Sequence, residues 1–259
     1  MNVNQIEADA LALFQQHAAR TRFQVTPPLS APTLQAAYDV QARYVALLQR
    51  DAGAVVGYKI GLTSPRMQAM CGIAEPIRGA VLATRVHASG VALLRGAFGR
   101  LGLEFEIAMR IGSDVPTADQ TAQSVRRHVD AVCAAIGIVD DRHADYAQLD
   151  VRALVADNSW NAGVVLSRWA SAWPDLPATE GIVSAGAQVI DRGFGRDVLG
   201  DPFEAVAWLA NHLAARGERL SAGQIVMTGS LVPTRFPTAD AIYRFDLAGI
   251  GSVSVSVIG

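Results

Sequence analysis

Apolar residues Ile6, Ala10, Leu13 and Phe14, together with His17, recur at helical spacing and predict a first helix near the N-terminus. Pro27, Pro28 and Pro32 interrupt the chain. Thr33 then caps a second predicted helix running to about residue 52, with Leu34, Tyr38, Val45 and Leu48 as its apolar stripe and Gly53 beyond its end. From there the texture changes. Residues 55–62, 79–82, 90–94 and 103–111 read as short strands separated by glycine and proline. Thr117 with Gln120 predicts a capping box for a helix to about residue 133, followed by a strand over 135–139. Residues 164–166 and 182–190 read as further strands. Asp201, Pro202 and Glu204 form a strong helix start, with Val206, Leu209, Ala210 and Leu213 facing inward and an end near Gly217. Strands over 224–227, 241–247 and 252–257 complete the chain. The pattern predicts an N-terminal helical segment (1–53) and one β-rich unit (54–259) with helices packed outside it. The many short strands argue against a doubly wound nucleotide-binding fold.

Composition narrows the class. The 259 residues are 51% hydrophobic and 18% charged, a globular balance with material for a large core. The formal net charge of -2 gives no reason to expect nucleic acid or an anionic membrane as a partner. No apolar run is long enough to span a bilayer, and the polar N-terminus lacks a secretory core. His17, His87, His128, His143 and His212 are scattered without zinc-type spacing. Cys71 and Cys133 form no CxxC motif, so a soluble protein of the reducing cytoplasm is expected.

Three segments bear candidate chemistry. In 103–109, Leu103, Phe105, Ile107 and Met109 alternate with Glu104, Glu106 and Ala108, so both carboxylates project from one strand face. Such a pair is either solvated or bridged by a cation. Lys59 lies in an apolar strand between Gly57 and Gly61. It either snorkels to the surface or is held near a carboxylate or anionic ligand, where it can transfer protons. Asp157, Asn158, Ser159 and Asn161 precede an apolar strand, as a substrate-binding knot or as Asx turns. The segment 227–231 ends a strand in small polar residues, suited equally to ligand contact or a turn. Gly193 and Gly195 lack the rest of a phosphate-loop fingerprint, and no serine-protease-like order, CxxC or HExxH motif is present.

Taken in series, 57–64 (Gly-Tyr-Lys-Ile-Gly-Leu-Thr-Ser), 104–106 (Glu-Phe-Glu), 157–163 (Asp-Asn-Ser-Trp-Asn-Ala-Gly), 207–211 (Ala-Trp-Leu-Ala-Asn) and 222–230 (Ala-Gly-Gln-Ile-Val-Met-Thr-Gly-Ser) resemble a known family. It is the 2-keto-4-pentenoate hydratase, 2-oxohept-3-ene-1,7-dioate hydratase and 4-oxalocrotonate decarboxylase group of the fumarylacetoacetate hydrolase superfamily. The resemblance extends from about residue 25 to the end. It implies an α+β fold with a mixed β-roll, barrel-like core and peripheral helices, assembled as a homo-oligomer. It further implies a Mg²⁺ or Mn²⁺ site at Glu104 and Glu106, Lys59 as the proton-transfer residue, and substrate contacts from Ser64, Asn161 and Ser230. The expected reaction is addition of water to a short 2-hydroxydienoic or 2-oxo-enoic acid from aromatic-compound breakdown. A decarboxylase of a related 2-oxo-dioate and a catalytically silent binding relative are the alternatives.

Two positions depart from the family pattern. A third metal-binding glutamate is expected where this chain has Gly137. Asp141 lies two pleats further on, about 13 Å along an ideal strand, and Asp140 points to the opposite face. The acidic partner expected for the lysine is replaced by Ala83 or Thr84. Both departures fall at chemical positions while the structural motifs persist.

Overall fold

A computed structural model describes residues 1–23, 31–116 and 119–259. The N-terminal helices form where the apolar spacing places them, as α1 (Val3–Ala18) and α2 (Leu34–Ala52). The Thr33 side chain accepts from the Ala36 N–H, and Gly53 ends α2 with φ of 77°. There follow β1 (Val55–Gly61), a short α3 (Pro65–Cys71), β2 (Ile77–Leu82), β3 (Val86–Ala88), β4 (Val91–Leu94) and β5 (Leu101–Ile111). The remainder is α4 (Ala122–Val125), β6 (Val129–Asp140), α5 (Val151–Ala156), β7 (Asn161–Leu166), β8 (Glu180–Ala185), β9 (Gln188–Phe194), α6 (Pro202–Ala214), β10 (Ile225–Ser230), β11 (Ala241–Leu247) and β12 (Gly251–Ile258).

Two expectations change. The helix to residue 133 is only the four residues of α4, boxed by Thr121 and Ser124; Thr117 lies outside the described residues, as do Pro27 and Pro28. Beyond it β6 takes over, because Val129 and the run from Ala131 to Val139 are buried and pair along the whole length of β5. A continuous apolar run of this length suits a strand covered on both faces. The single strand over 182–190 is a hairpin, β8 and β9, turned at Gly186.

The strands form two mixed sheets. The larger has the order β2-β1-β10-β5-β6-β7-β3 and the smaller β4-β12-β11-β8-β9; neither closes on itself among the described residues. Pairing is mostly antiparallel, with β1 and β10, β3 and β7, and β4 and β12 parallel. The strict alternation in β5 decides which face meets the smaller sheet. Leu103, Phe105, Ile107 and Met109 join the main core with residues of the smaller sheet and α6, and the Phe105 and Phe245 rings meet at 5.8 Å. The opposite face of β5 carries Glu104, Glu106 and Ala108.

A second core joins α1 and α2 to α5 and β2 through Leu13, Tyr38, Leu48, Leu154 and Trp160. Beneath it lies an ionic knot. Asp157 accepts from Arg142 at 2.8 Å and contacts His17 of α1 at 2.5 Å. Burial opposes its charge, but His17 and Arg142 outweigh that and hold the carboxyl below its ordinary value. The polar residues after Asp157 serve β2. Asn158 brackets Ala80 through both its N–H and its carbonyl, and Ser159 donates to the Arg78 carbonyl. Gly79 permits this approach: a Cβ there would lie 2.3 Å from the Asn158 carbonyl oxygen.

Candidate active site

The central strands of the larger sheet bring the candidate residues together. Lys59 of β1 is in register with Met227 of β10, and Met227 with Ala108 of β5. With β10 between them, β1 and β5 present Lys59 and the two glutamates to the same side. Lys59 is 3% exposed and Glu106 0%, while the Glu104 side chain keeps 22%. Lys59 Nζ donates to Glu104 Oε2 at 2.5 Å, and Thr234 Oγ1 donates to Glu104 Oε1 at 3.2 Å. The Gly229 N–H donates to Glu106 Oε2 at 2.8 Å. That amide is aimed by a backbone φ of 115°, and a Cβ at Gly229 would collide with the Thr63 hydroxyl.

Glu106 Oε1 has no hydrogen-bond partner although it is fully buried. Burial and the neighbouring Glu104 carboxylate push the Glu106 carboxyl up to about 8, against the opposing pull of Lys59 and the Gly229 amide. For Lys59, burial disfavours the ammonium, yet the attraction of Glu104 and Glu106 prevails and keeps it above its ordinary value. The cluster can therefore store a proton on Glu106 at neutral pH while Lys59 is held as the ammonium.

Gly137 of β6 lies opposite Glu104 in the ladder. Its missing side chain leaves no void: a Cβ there would sit 2.8 Å from Glu106 Oε1, so the glutamate occupies that room itself. Asp140 and Asp141 serve the strand ends instead. Asp140 accepts from the Gly99 and Arg100 amides at 3.0 and 2.9 Å, and the buried Asp141 binds Arg100 Nε at 2.7 Å and the Tyr146 hydroxyl at 3.0 Å. Ala83 and Thr84 form a turn after β2 in which Thr84 donates to the Ala52 carbonyl. Lys59 takes Glu104 as its partner.

The three polar residues expected to touch substrate are engaged with backbone. Ser64 caps α3 by accepting from the Met67 N–H at 3.4 Å. Asn161 donates to the Ala80 carbonyl at 2.7 Å and accepts from the Gly163 N–H. Ser230 accepts from the Phe105 N–H at 2.9 Å, donates to the Val232 carbonyl at 2.7 Å, and lies in register with Glu106. Ser230 thus stands beside the cluster, whereas Asn161 is committed to β2. Thr234 was not singled out from the sequence, and Gly229 entered only as part of the small polar segment 227–231. The bridge between Leu103 and Arg235 that carries Thr234 to Glu104 leaves no local signal.

The donor set suits a hard divalent cation. Two carboxylates lie close together on one strand face, and one oxygen of Glu106 is buried without a donor. Among the described residues no third histidine, cysteine or carboxylate joins them, so water or ligand oxygens would fill the remaining positions.

Residues 78–258 match the family model described as fumarylacetoacetate (FAA) hydrolase C-terminal. The chain is 33% identical over 221 residues to a 2-keto-4-pentenoate hydratase of Burkholderia vietnamiensis, covering 84% of this chain and 83% of that one. It is 31% identical over 257 residues to a 2-hydroxyhexa-2,4-dienoate hydratase of Comamonas testosteroni, covering 96% of each. The 4-oxalocrotonate decarboxylase from Pseudomonas putida G7, complexed with magnesium and adipate, superposes with a TM-score of 0.92 at 27% identity, covering 100% of this chain and 99% of that one. A family match over most of the sequence, two hydratases aligned over most of their length, and the shared architecture agree: the chain belongs to the fumarylacetoacetate hydrolase family.

Proposed function

We propose that the protein is a divalent-metal-dependent lyase that adds water across the distal double bond of a short 2-hydroxydienoic or 2-oxo-enoic acid, giving a 4-hydroxy-2-oxo acid. The observation that carries this reading is the cluster of buried Lys59 and Glu106 with partly exposed Glu104 on one face of the central strands. The hydratases of B. vietnamiensis and C. testosteroni support the reaction type, and the magnesium in the P. putida decarboxylase complex supports the metal. Glu104 and Glu106 would hold Mg²⁺ or Mn²⁺, which when bound supplies Lewis-acid polarisation of the substrate's 2-oxo and carboxylate oxygens. Lys59, positioned by its hydrogen bond to Glu104, donates a proton to the reacting carbon and is reprotonated by the proton that the attacking water loses. Thr234 and the Gly229 amide fix the two carboxylates, and Ser230 braces the backbone of β5 beside them. Buried, unbridged Cys71 and Cys133 support a cytoplasmic setting. Exposed Leu94, Val189, Ile242 and Ile258 on the smaller sheet support a homo-oligomer.

Addition of protein with Mg²⁺ or Mn²⁺ to 2-hydroxypenta-2,4-dienoate should bleach the dienoate's ultraviolet absorbance without release of carbon dioxide. Absorbance loss accompanied by carbon dioxide from a 2-oxo-dioate would favour the decarboxylase reading, which the likeness to the P. putida enzyme supports. Inertness toward a panel of both substrate types would leave the silent binding relative, for which Gly137 in place of a third carboxylate is the supporting observation.

A further inference from the structure

A cleft of about 360 Å³ opens where the segment after α1 meets the adjoining ends of β5 and β6. Its wall includes Arg20, Arg22, Arg100, Arg142 and His143. Two of the four guanidiniums are balanced: Arg142 by the buried Asp157, and Arg100 by Asp141. Asp140 is occupied by the backbone amides of Gly99, Arg100 and Arg142, and Asp145 accepts from the Ala147 amide. Arg20 donates to the Gly96 carbonyl at 2.8 Å, and Arg22 to the His143 carbonyl at 2.9 Å. Among the described residues neither forms an ion pair. A guanidinium has five N–H donors, so one carbonyl contact leaves most of its capacity unused.

This concentration of like charge stands on a chain whose net charge is -2. Neighbouring guanidiniums repel unless an anion lies between them, and their planar forks match carboxylate and phosphate oxygens. The site is separate from the Lys59 cluster. Arg100 immediately precedes β5 and lies four residues from Glu104, about 13 Å along an extended chain. Phe236 fills the interval, stacking on Arg100 at 4.4 Å and closing over Gly102, where a Cβ would lie 3.1 Å from its ring.

We propose that this cleft binds a small oxyanion, carboxylate or phosphate, which joins the segment after α1 to the ends of β5 and β6. Occupancy would tether the N-terminal helices to the sheet that carries the cluster, so binding would raise thermal stability by mass action.

The test is calorimetric titration and thermal unfolding of the full chain with inorganic phosphate and, separately, with succinate, at constant ionic strength. Saturable binding and a concentration-dependent rise in Tm are expected. The tighter of the two ligands identifies the anion class. In the Arg20→Gln/Arg22→Gln double variant, affinity should fall about tenfold or more, the scale of a lost charge-assisted pair, with turnover unchanged. Glu106→Gln should bind the anion as the parent does. Absence of saturable binding, undiminished affinity in the double variant, or loss of binding in Glu106→Gln instead would each overturn the proposal.

Discussion

Glu106→Gln should cut turnover about a hundredfold to a thousandfold, the usual cost of removing one charge-stabilising group from a dry site, while making the metal-free protein more heat-stable. The two effects have one cause. Glu106 sits fully buried against Glu104, with one oxygen lacking any partner, and burial and its neighbour push it up to about 8. Between the ordinary value of 4.5 and about 8, the folded protein retains a proton that the unfolded chain has released. The carboxyl's contribution to stability is therefore fully present below 4.5 and is lost as pH rises through about 8. Glutamine keeps the shape, accepts the Gly229 N–H through its carbonyl oxygen, and does not titrate. The stability advantage of the variant should grow across this pH window and level off above it. Thermal unfolding without metal at a series of pH values, beside steady-state turnover with metal, measures both. A variant that unfolds more readily than the parent at pH 8 would mean that Glu106 is not held under charge strain.

Arg142→Ala should cost about 3–5 kcal/mol, because it removes a partner from a carboxylate that cannot reach water. Arg142 is 1% exposed and Asp157 is 1% exposed. Arg142 also donates to the Thr21 carbonyl, so its loss loosens the segment after α1 as well as the turn before β7. Urea denaturation measures the loss. Adding Asp157→Asn to the same chain should recover part of it, since the stranded charge is then gone; a fully additive double variant would contradict the pairing. The sign with pH is opposite to that of Glu106. Asp157 is held below its ordinary value of 3.8, so its contribution is present above that value and is lost as pH falls through the lower folded value.

Local chemistry made much of this fold readable. Asp201 and Pro202 start α6 where cap and N1 proline require, and Thr33 does the same for α2. The alternation over 103–109 assigns Phe105 to the core and the glutamates to the other face before any partner strand is known. Sequence reading failed where long-range pairing decides. Thr117 and Gln120 read as the start of a helix to about residue 133, yet the pairing of β6 with β5 claims the chain from Val129 onward. The Lys59 and Glu104 contact depends on β10 lying between β1 and β5, and Thr234 depends on the bridge to Leu103; neither is written in local spacing. Gly137 shows the limit most clearly. In sequence it reads as a missing carboxylate, whereas in the fold it is the space that Glu106 occupies. A side chain at residue 137 must first turn Glu106 aside.

The central claim is that Lys59, Glu104 and Glu106 form a divalent-metal site with two protein carboxylates. Calorimetric titration of Mn²⁺ into the parent protein and into Glu106→Gln tests it most directly. One saturable ion per chain in the parent, and affinity at least about tenfold weaker in the variant, is the result predicted. No binding by the parent, or equal binding by both, would contradict it.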